Sequence, residues 1–307
     1  MSFHSTQSDV AGNVEDISAH EGDVSSQSSV SSQSEASFDP MEDFEGISYS
    51  QEATTRAFRD YYAFLAKMYV DESCIAEPPP DGWPSITSER YRGMGKTDTV
   101  VELLRHLPYL VEKTPGLRDI EAISYCHFYN FERGAPRSDD EGDIAKVLTE
   151  THEWEDFFPP HVFGFCSGEN DPDVLLLDTQ LGLVYWLEAP GYIKFNDGSN
   201  PSFISPIFNN PSEWAPASEQ EWREEPCWSI PDFFEMLKQQ FIQLQFIPLN
   251  PQEIVEPKFS HRVEEIYRQF GWPDLEKYRK EECQAAVRAF LVAREETEQA
   301  ERLSKNI

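Results

Sequence analysis

The first fifty residues limit the fold more than any other feature, because they cannot contribute to it. They hold fourteen Ser and ten Asp or Glu, and no Lys or Arg. Such a stretch buries too little apolar surface to offset the entropy of ordering it. Residues 1–50 are therefore expected to be a disordered, acidic, Ser-rich tail, and any fold must come from residues 51–307. Thr6/Asp9, Ser18/Glu21 and Ser32/Glu35 each place a hydroxyl three residues before an acid. That spacing suits acid-directed kinases, so Thr6, Ser18 and Ser32 are phosphorylation candidates, and each phosphate would add negative charge.

The whole chain has 307 residues and a net charge of −31. Phosphate neutralisation needs a Lys/Arg surplus, so general nucleic-acid binding is excluded, and docking on anionic membranes is disfavoured on the same ground. The longest apolar runs, such as Val174–Leu177, fall far short of the ~18 residues of a membrane span. The N-terminus has no basic region followed by an apolar one, which argues against a secretory signal. Cys74, Cys126, Cys166, Cys227 and Cys283 are odd in number and form no CxxC pair. Neither a disulfide framework nor a zinc knuckle is favoured, and reduced thiols in the cytoplasm or nucleus are expected.

Hydrophobic content is only 39%, but aromatics reach 13% and can supply a core. Ala57, Phe58, Tyr61, Tyr62, Leu65 and Met68 recur at helical spacing and predict an amphipathic helix over Thr54–Met68. Thr97–Leu107 predicts a second helix, capped by Thr97 or Asp98 and closed by Pro108. The period then falls toward two. Ala122–Phe131 predicts a strand, and Val162–Cys166, Val174–Asp178 and Leu183–Leu187 predict an antiparallel meander with tight polar turns. Residues 196–227, rich in Pro, Ser, Asn and Glu, read as a long surface excursion. Ser229-Ile230-Pro231-Asp232 opens a helix with Ser229 as its N-cap. Pro248–Pro257 reads as a linker, and helices follow over Val263–Phe270 and Asp274–Lys305, the last apolar only in its first half.

Three motifs suggest chemistry. Gly93-Met94-Gly95-Lys96-Thr97 resembles a phosphate loop, but the fingerprint's first glycine would fall at Arg90, so the glycines are expected only to shape a turn. Gly164-Phe165-Cys166-Ser167-Gly168 fits a nucleophile elbow with Cys in place of Ser. With His161 or His261 as base, Cys166 would define a cysteine hydrolase of a small-molecule pathway. The residues after Gly168 read as a hairpin rather than the helix an elbow requires. His152, Glu155 and His161, with Glu150 or Glu153, match no helical metal-ligand spacing. No metal and no cofactor is expected, and catalysis is the lesser reading.

The acidic clusters carry the greater one. Residues 132–156 hold nine acids, among them Asp139, Asp140, Glu141 and Asp143, against Arg133, Arg137 and Lys146. Residues 213–225 hold Glu213, Glu219, Glu221, Glu224 and Glu225 against Arg223, with Trp214 and Trp222 between them. Acids give steering charge and aromatics give anchors, so these stretches are expected to bind basic protein partners.

The run Val162–Gly168, then Asp173–Asp178, then Gly182–Glu188, followed by the helix at Ser229–Leu237, resembles the central sheet and following helix of the SUKH superfamily. That group includes a fungal cell-wall-synthesis regulator and bacterial toxin-immunity proteins. The resemblance spans about residues 52–247 and is sharpest over 162–188 and 229–241. The chain departs from it in the 196–227 excursion and the added C-terminal helices. Gly271-Trp272-Pro273 before a charged helix is similar to a feature of certain fungal proteins. The resemblance implies a binding scaffold without a general active site. The expected organisation is α+β: a disordered tail over 1–50, a SUKH-like domain of antiparallel sheet and flanking helices over 51–247, and a linker with a helical extension over 248–307.

Overall fold

The computed structural model describes residues 41–138, 144–150, 158–168, 173–196, 198, 200–257 and 261–305. Within them the chain is α+β, with small antiparallel sheets and flanking helices. Most of the expected tail, including Thr6, Ser18 and Ser32, lies outside the described residues, as do Asp139, Asp140, Glu141 and Asp143.

Helix α1 (Gln51–Met68) starts three residues before the expected Thr54, because the Ser50 side chain accepts from Ala53 N at 3.3 Å and caps it earlier. Strand β1 (Ile75–Ala76) pairs antiparallel with β2 (Tyr109–Leu110). Helix α2 (Asp98–His106) lies between them, with Thr97 accepting from Val100 N at 3.3 Å. Strand β3 is confined to His127–Phe128, shorter than the alternation over Ala122–Phe131 suggests. Ile123 and Cys126 bridge each other in a tight turn with Tyr125 at φ 64°, and that turn breaks the extended run before His127. Residues 144–150 are helical (α3).

Strands β4 (Val162–Gly164), β5 (Cys166–Ser167), β6 (Val174–Asp178) and β7 (Leu183–Leu187) follow. The short helix α4 (Gly191–Lys194) precedes the excursion, and α5 (Gln220–Arg223) interrupts it before β8 (Cys227–Ser229). The central sheet runs β4-β6-β7-β8, all neighbours antiparallel, as the meander expects; β5 pairs with β3 instead.

Strands β6 and β7 are apolar without alternation because both faces of the sheet are covered. Leu175, Leu177, Val184 and Trp186 join the main core with α1 and α6 (Ile230–Ile242). Leu176, Leu183, Tyr185 and Leu187 join a second cluster with Phe44, Phe158 and Trp222. The main core is strongly aromatic: Phe58 meets Phe234 at 4.7 Å between ring centroids, and Phe128 meets Phe165 at 5.1 Å.

The expected linker is a hairpin. Strand β9 (Ile247–Asn250) pairs with β10 (Glu253–Val255), and Ile247 and Ile254 are fully buried. Pro248 is tolerated because a two-stranded sheet leaves each strand an edge. Helix α7 (His261–Gln269) and helix α8 (Lys280–Lys305) come next. Helix α8 begins six residues later than expected, since Asp274–Arg279 turns back on itself: Tyr278 N donates to Asp274 O and Arg279 N to Phe270 O. The helical C-terminal extension is present as expected, and its first part packs on the main core. Trp272 Nε1 donates to Phe241 O at 2.9 Å, and Tyr278 OH to Met68 O at 2.9 Å. Lys280 Nζ donates to Ala66 O and Val70 O, both at 2.7 Å, supplying a cation to the C-terminal end of α1. The described residues from 41 onward belong to one compact unit.

Candidate functional site

The acidic excursion around α5 is held by a buried charge network. Asp178 ends β6, and the tight turn after it needs Gly182 at φ +75°. Asp178 Oδ1 accepts from Gln180 N at 2.8 Å and Leu181 N at 2.9 Å. Its Oδ2 accepts from Arg223 Nη2 at 3.0 Å. Arg223 Nε donates to Glu219 Oε2 at 2.9 Å, one helical turn back, and Nη1 donates to Tyr185 OH at 3.1 Å. The guanidinium lies 4.2 Å from the Trp222 ring centroid and 5.0 Å from that of Trp214. Such stacking suits Arg, whose planar cation is weakly hydrated. His161 Nε2 stands 3.8 Å from Asp178 Oδ2. Burial lowers its pKa and Arg223 reinforces that, while Asp178 opposes it, so the imidazole is neutral at pH 7.

This network changes the expected division of labour at the surface. Trp222 is 1% exposed, edge-on to Phe158 and Tyr185, and cannot serve as an exposed anchor. Trp214 is half-buried, edge-on to Phe44, with Nε1 donating to Asn209 Oδ1 at 2.9 Å. The reason is local: helix α5 must bring Arg223 onto Asp178, and the adjoining indole goes inward with it. Glu221 and Glu224 are exposed, and Glu225 is half-buried against Lys194 at 2.9 Å.

The aromatic part of the surface comes from two residues that sequence reasoning passed over. Phe195 is 66% exposed, Phe208 is 48% exposed, and their rings stack at 6.2 Å with 10° between planes. Both sit next to residues that bond the acidic stretch. Lys194 pairs with Glu225, and Ile207 bridges Cys227 through bonds of 2.7 and 3.3 Å. Composition carried no separating signal, because Trp222 lies among equally polar neighbours and is buried.

The other motifs resolve into structure. Gly95 adopts φ +67° and shapes the turn before α2, as expected. Lys96 is buried against Glu150 at 2.7 Å and cannot reach a phosphate in solvent. Glu150 Oε1 also accepts from Gly164 N at 3.2 Å. Burial pushes the Glu150 pKa up and the Lys96 pKa down, each partner opposing the shift of the other. Cys166 lies in β5, paired with Phe128, and is 1% exposed. Burial pushes its thiol pKa well up, and Cys126 and Asp173 add to that. A hydrolase nucleophile needs the opposite. His161 faces Asp178, and His261 is on the surface beside Glu264 and Glu265. His152, Glu153 and Glu155 lie outside the described residues; among those described, no group of three His, Cys, Asp or Glu could hold a metal ion. No helix among the described residues is long and apolar enough to cross a membrane.

No family model, curated protein or solved structure matches this chain.

Proposed function

We propose that this chain is a non-enzymatic interaction or regulatory protein that binds basic protein partners through an acidic-aromatic surface. The observation that carries the reading is the exposed Phe195–Phe208 stack, tied to the acidic 221–225 stretch by Lys194–Glu225 and to the strand just beyond it by Ile207–Cys227. Exposed aromatics supply desolvated contact area, and the neighbouring acids steer a cationic partner. The Asp178–Arg223–Glu219 network fixes α5 beforehand, which lowers the ordering cost of binding. The SUKH resemblance over 162–188 and 229–241 agrees with a scaffold of this kind. Five free thiols fit the cytoplasm or nucleus. The cysteine-hydrolase alternative loses ground because Cys166 is buried and its thiol is held protonated.

The test is affinity capture with the full-length chain at low and high salt, followed by identification of the retained proteins. Basic partners should elute as salt rises, and capture should fall for E221Q/E224Q and for F195S/F208S. Capture of no basic protein, or capture indifferent to salt and to both variants, would sink the proposal.

A further inference from the structure

Thr87–Met94 forms a tight turn: Tyr91 N donates to Thr87 O at 3.0 Å and Met94 N to Tyr91 O at 3.1 Å. Tyr91 is buried, and its hydroxyl donates to Phe131 O while the two rings meet at 6.4 Å. Ser85 Oγ donates to Glu132 Oε1 at 3.4 Å beside it. These contacts pin the 85–92 turn to the segment that runs from Phe131 to Ser138. Because Tyr91 points inward, Arg90 and Arg92 on either side of it are left exposed. Together with Arg137 they line an open cleft of about 490 Å³, whose other lining residues are Thr87, Glu89 and Ser138.

In a chain with 56 acids against 25 bases, three guanidinium groups on one cleft are unexpected. Most arginines here are paired with acids, Arg56, Arg59, Arg133, Arg223, Arg262 and Arg268 among them. The Arg90 and Arg92 side chains make no ion pair among the described residues, although Glu89 adjoins both in the same lining. Guanidinium groups match the tetrahedral oxyanion with paired N–H donors, and the Thr87 and Ser138 hydroxyls add neutral ones. Glu89 in the same lining repels an anion and offsets part of the positive charge, so binding there rests on the guanidinium groups.

We propose that this cleft binds a phosphate monoester. Acids farther than about 8 Å are screened at physiological salt, so the acids the guanidinium groups must outweigh are the near ones, Glu89 in the lining and Asp139 next to Ser138 in the chain. The cleft is open to solvent, so a phosphate can enter it with its carrier left in solvent.

The test is calorimetric titration of the full-length chain at constant ionic strength with three probes: inorganic phosphate, glucose 6-phosphate and a short neutral peptide bearing phosphoserine. One-to-one binding of at least one probe is expected, with the preferred probe naming the carrier. R90Q/R92Q should weaken it about tenfold or more, the worth of one charge-assisted hydrogen bond. A second measurement avoids substitution: phenylglyoxal should label Arg90 and Arg92 in the wild-type protein, and the bound monoester should protect them. No binding by any probe, equal binding by the double variant, or labelling unaffected by the monoester would overturn the proposal.

Discussion

The Arg223 guanidinium donates to the Asp178 carboxylate at 3.0 Å and so joins helix α5 of the excursion to the end of the central strand β6. Both side chains are buried, and Glu219 shares the same cation. Removing Arg223 leaves two carboxylates facing one another without a counter-charge. Arg223→Leu should therefore cost about 3–5 kcal/mol, the range for breaking a buried pair on one side. Urea unfolding checks this. A loss below about 1 kcal/mol would mean that water reaches the network and replaces the arginine.

Glu121 predicts a pH dependence of the opposite sign to that of a salt-bridged acid. Its Oε2 accepts from Ile254 N at 2.6 Å, and its backbone N donates to Pro251 O at 3.0 Å, so it ties the 111–126 loop to the β9–β10 hairpin. Burial raises its pKa to about 7, with the backbone bonds from Ile254 and Tyr125 opposing. A carboxyl raised in the folded state contributes stability that is complete below its unfolded value of 4.5 and is lost as pH rises through about 7. Glu121→Gln keeps an acceptor for Ile254 N and removes the charge. The variant should exceed the wild type by about 1 kcal/mol at pH 8, a figure discounted for the partial exposure of the carboxyl. The difference should vanish near pH 4. Thermal unfolding at both pH values measures it, and a gap that does not change with pH would mean that the carboxyl titrates normally.

The helices were legible because their signals are local. Thr97 and Ser229 are capping residues, and the apolar spacing of Phe58, Tyr61, Tyr62 and Leu65 needs no tertiary information; the Ser50 cap, by contrast, was missed. The meander was legible from three apolar runs and their polar turns. The β9–β10 hairpin was not, because Pro248 and Pro251 read as breaks, and only burial of Ile247 and Ile254 against the core makes the segment extended. The aromatic side of the surface was misassigned for a related reason. Trp222 and Phe195 are both aromatic residues among polar neighbours, and what separates them is Asp178, forty-four residues before Trp222, which draws α5 inward.

Thiol reactivity should follow burial rather than the elbow motif. Cys74 is half-buried, whereas Cys126, Cys166, Cys227 and Cys283 are buried. Burial raises the pKa of Cys227 to about 12 and that of Cys283 to about 11, so few thiolates exist at pH 8. Alkylation of the folded protein followed by peptide mass spectrometry should label Cys74 first and leave Cys166 unmodified until unfolding. Rapid labelling of Cys166 in the folded state would restore the nucleophile reading.

The last prediction separates two parts of helix α8 and its approach. Trp272 is buried between Phe64 at 6.0 Å and Tyr278 at 5.1 Å, and its indole N–H is bound to Phe241 O. Trp272→Ala removes that contact area and leaves the Phe241 carbonyl without its partner, so it should cost about 3–5 kcal/mol. Beyond Arg294 every described side chain is exposed, and the pair Arg294–Glu298 at 3.6 Å lies in solvent. Ending the chain at Arg294 should therefore change stability by no more than about 0.5 kcal/mol. Urea unfolding of the two variants beside the wild type measures both values. If the truncation costs as much as the substitution, the charged end of α8 holds the fold through contacts of its own, and the boundary between core and solvated helix lies further along the chain than burial places it.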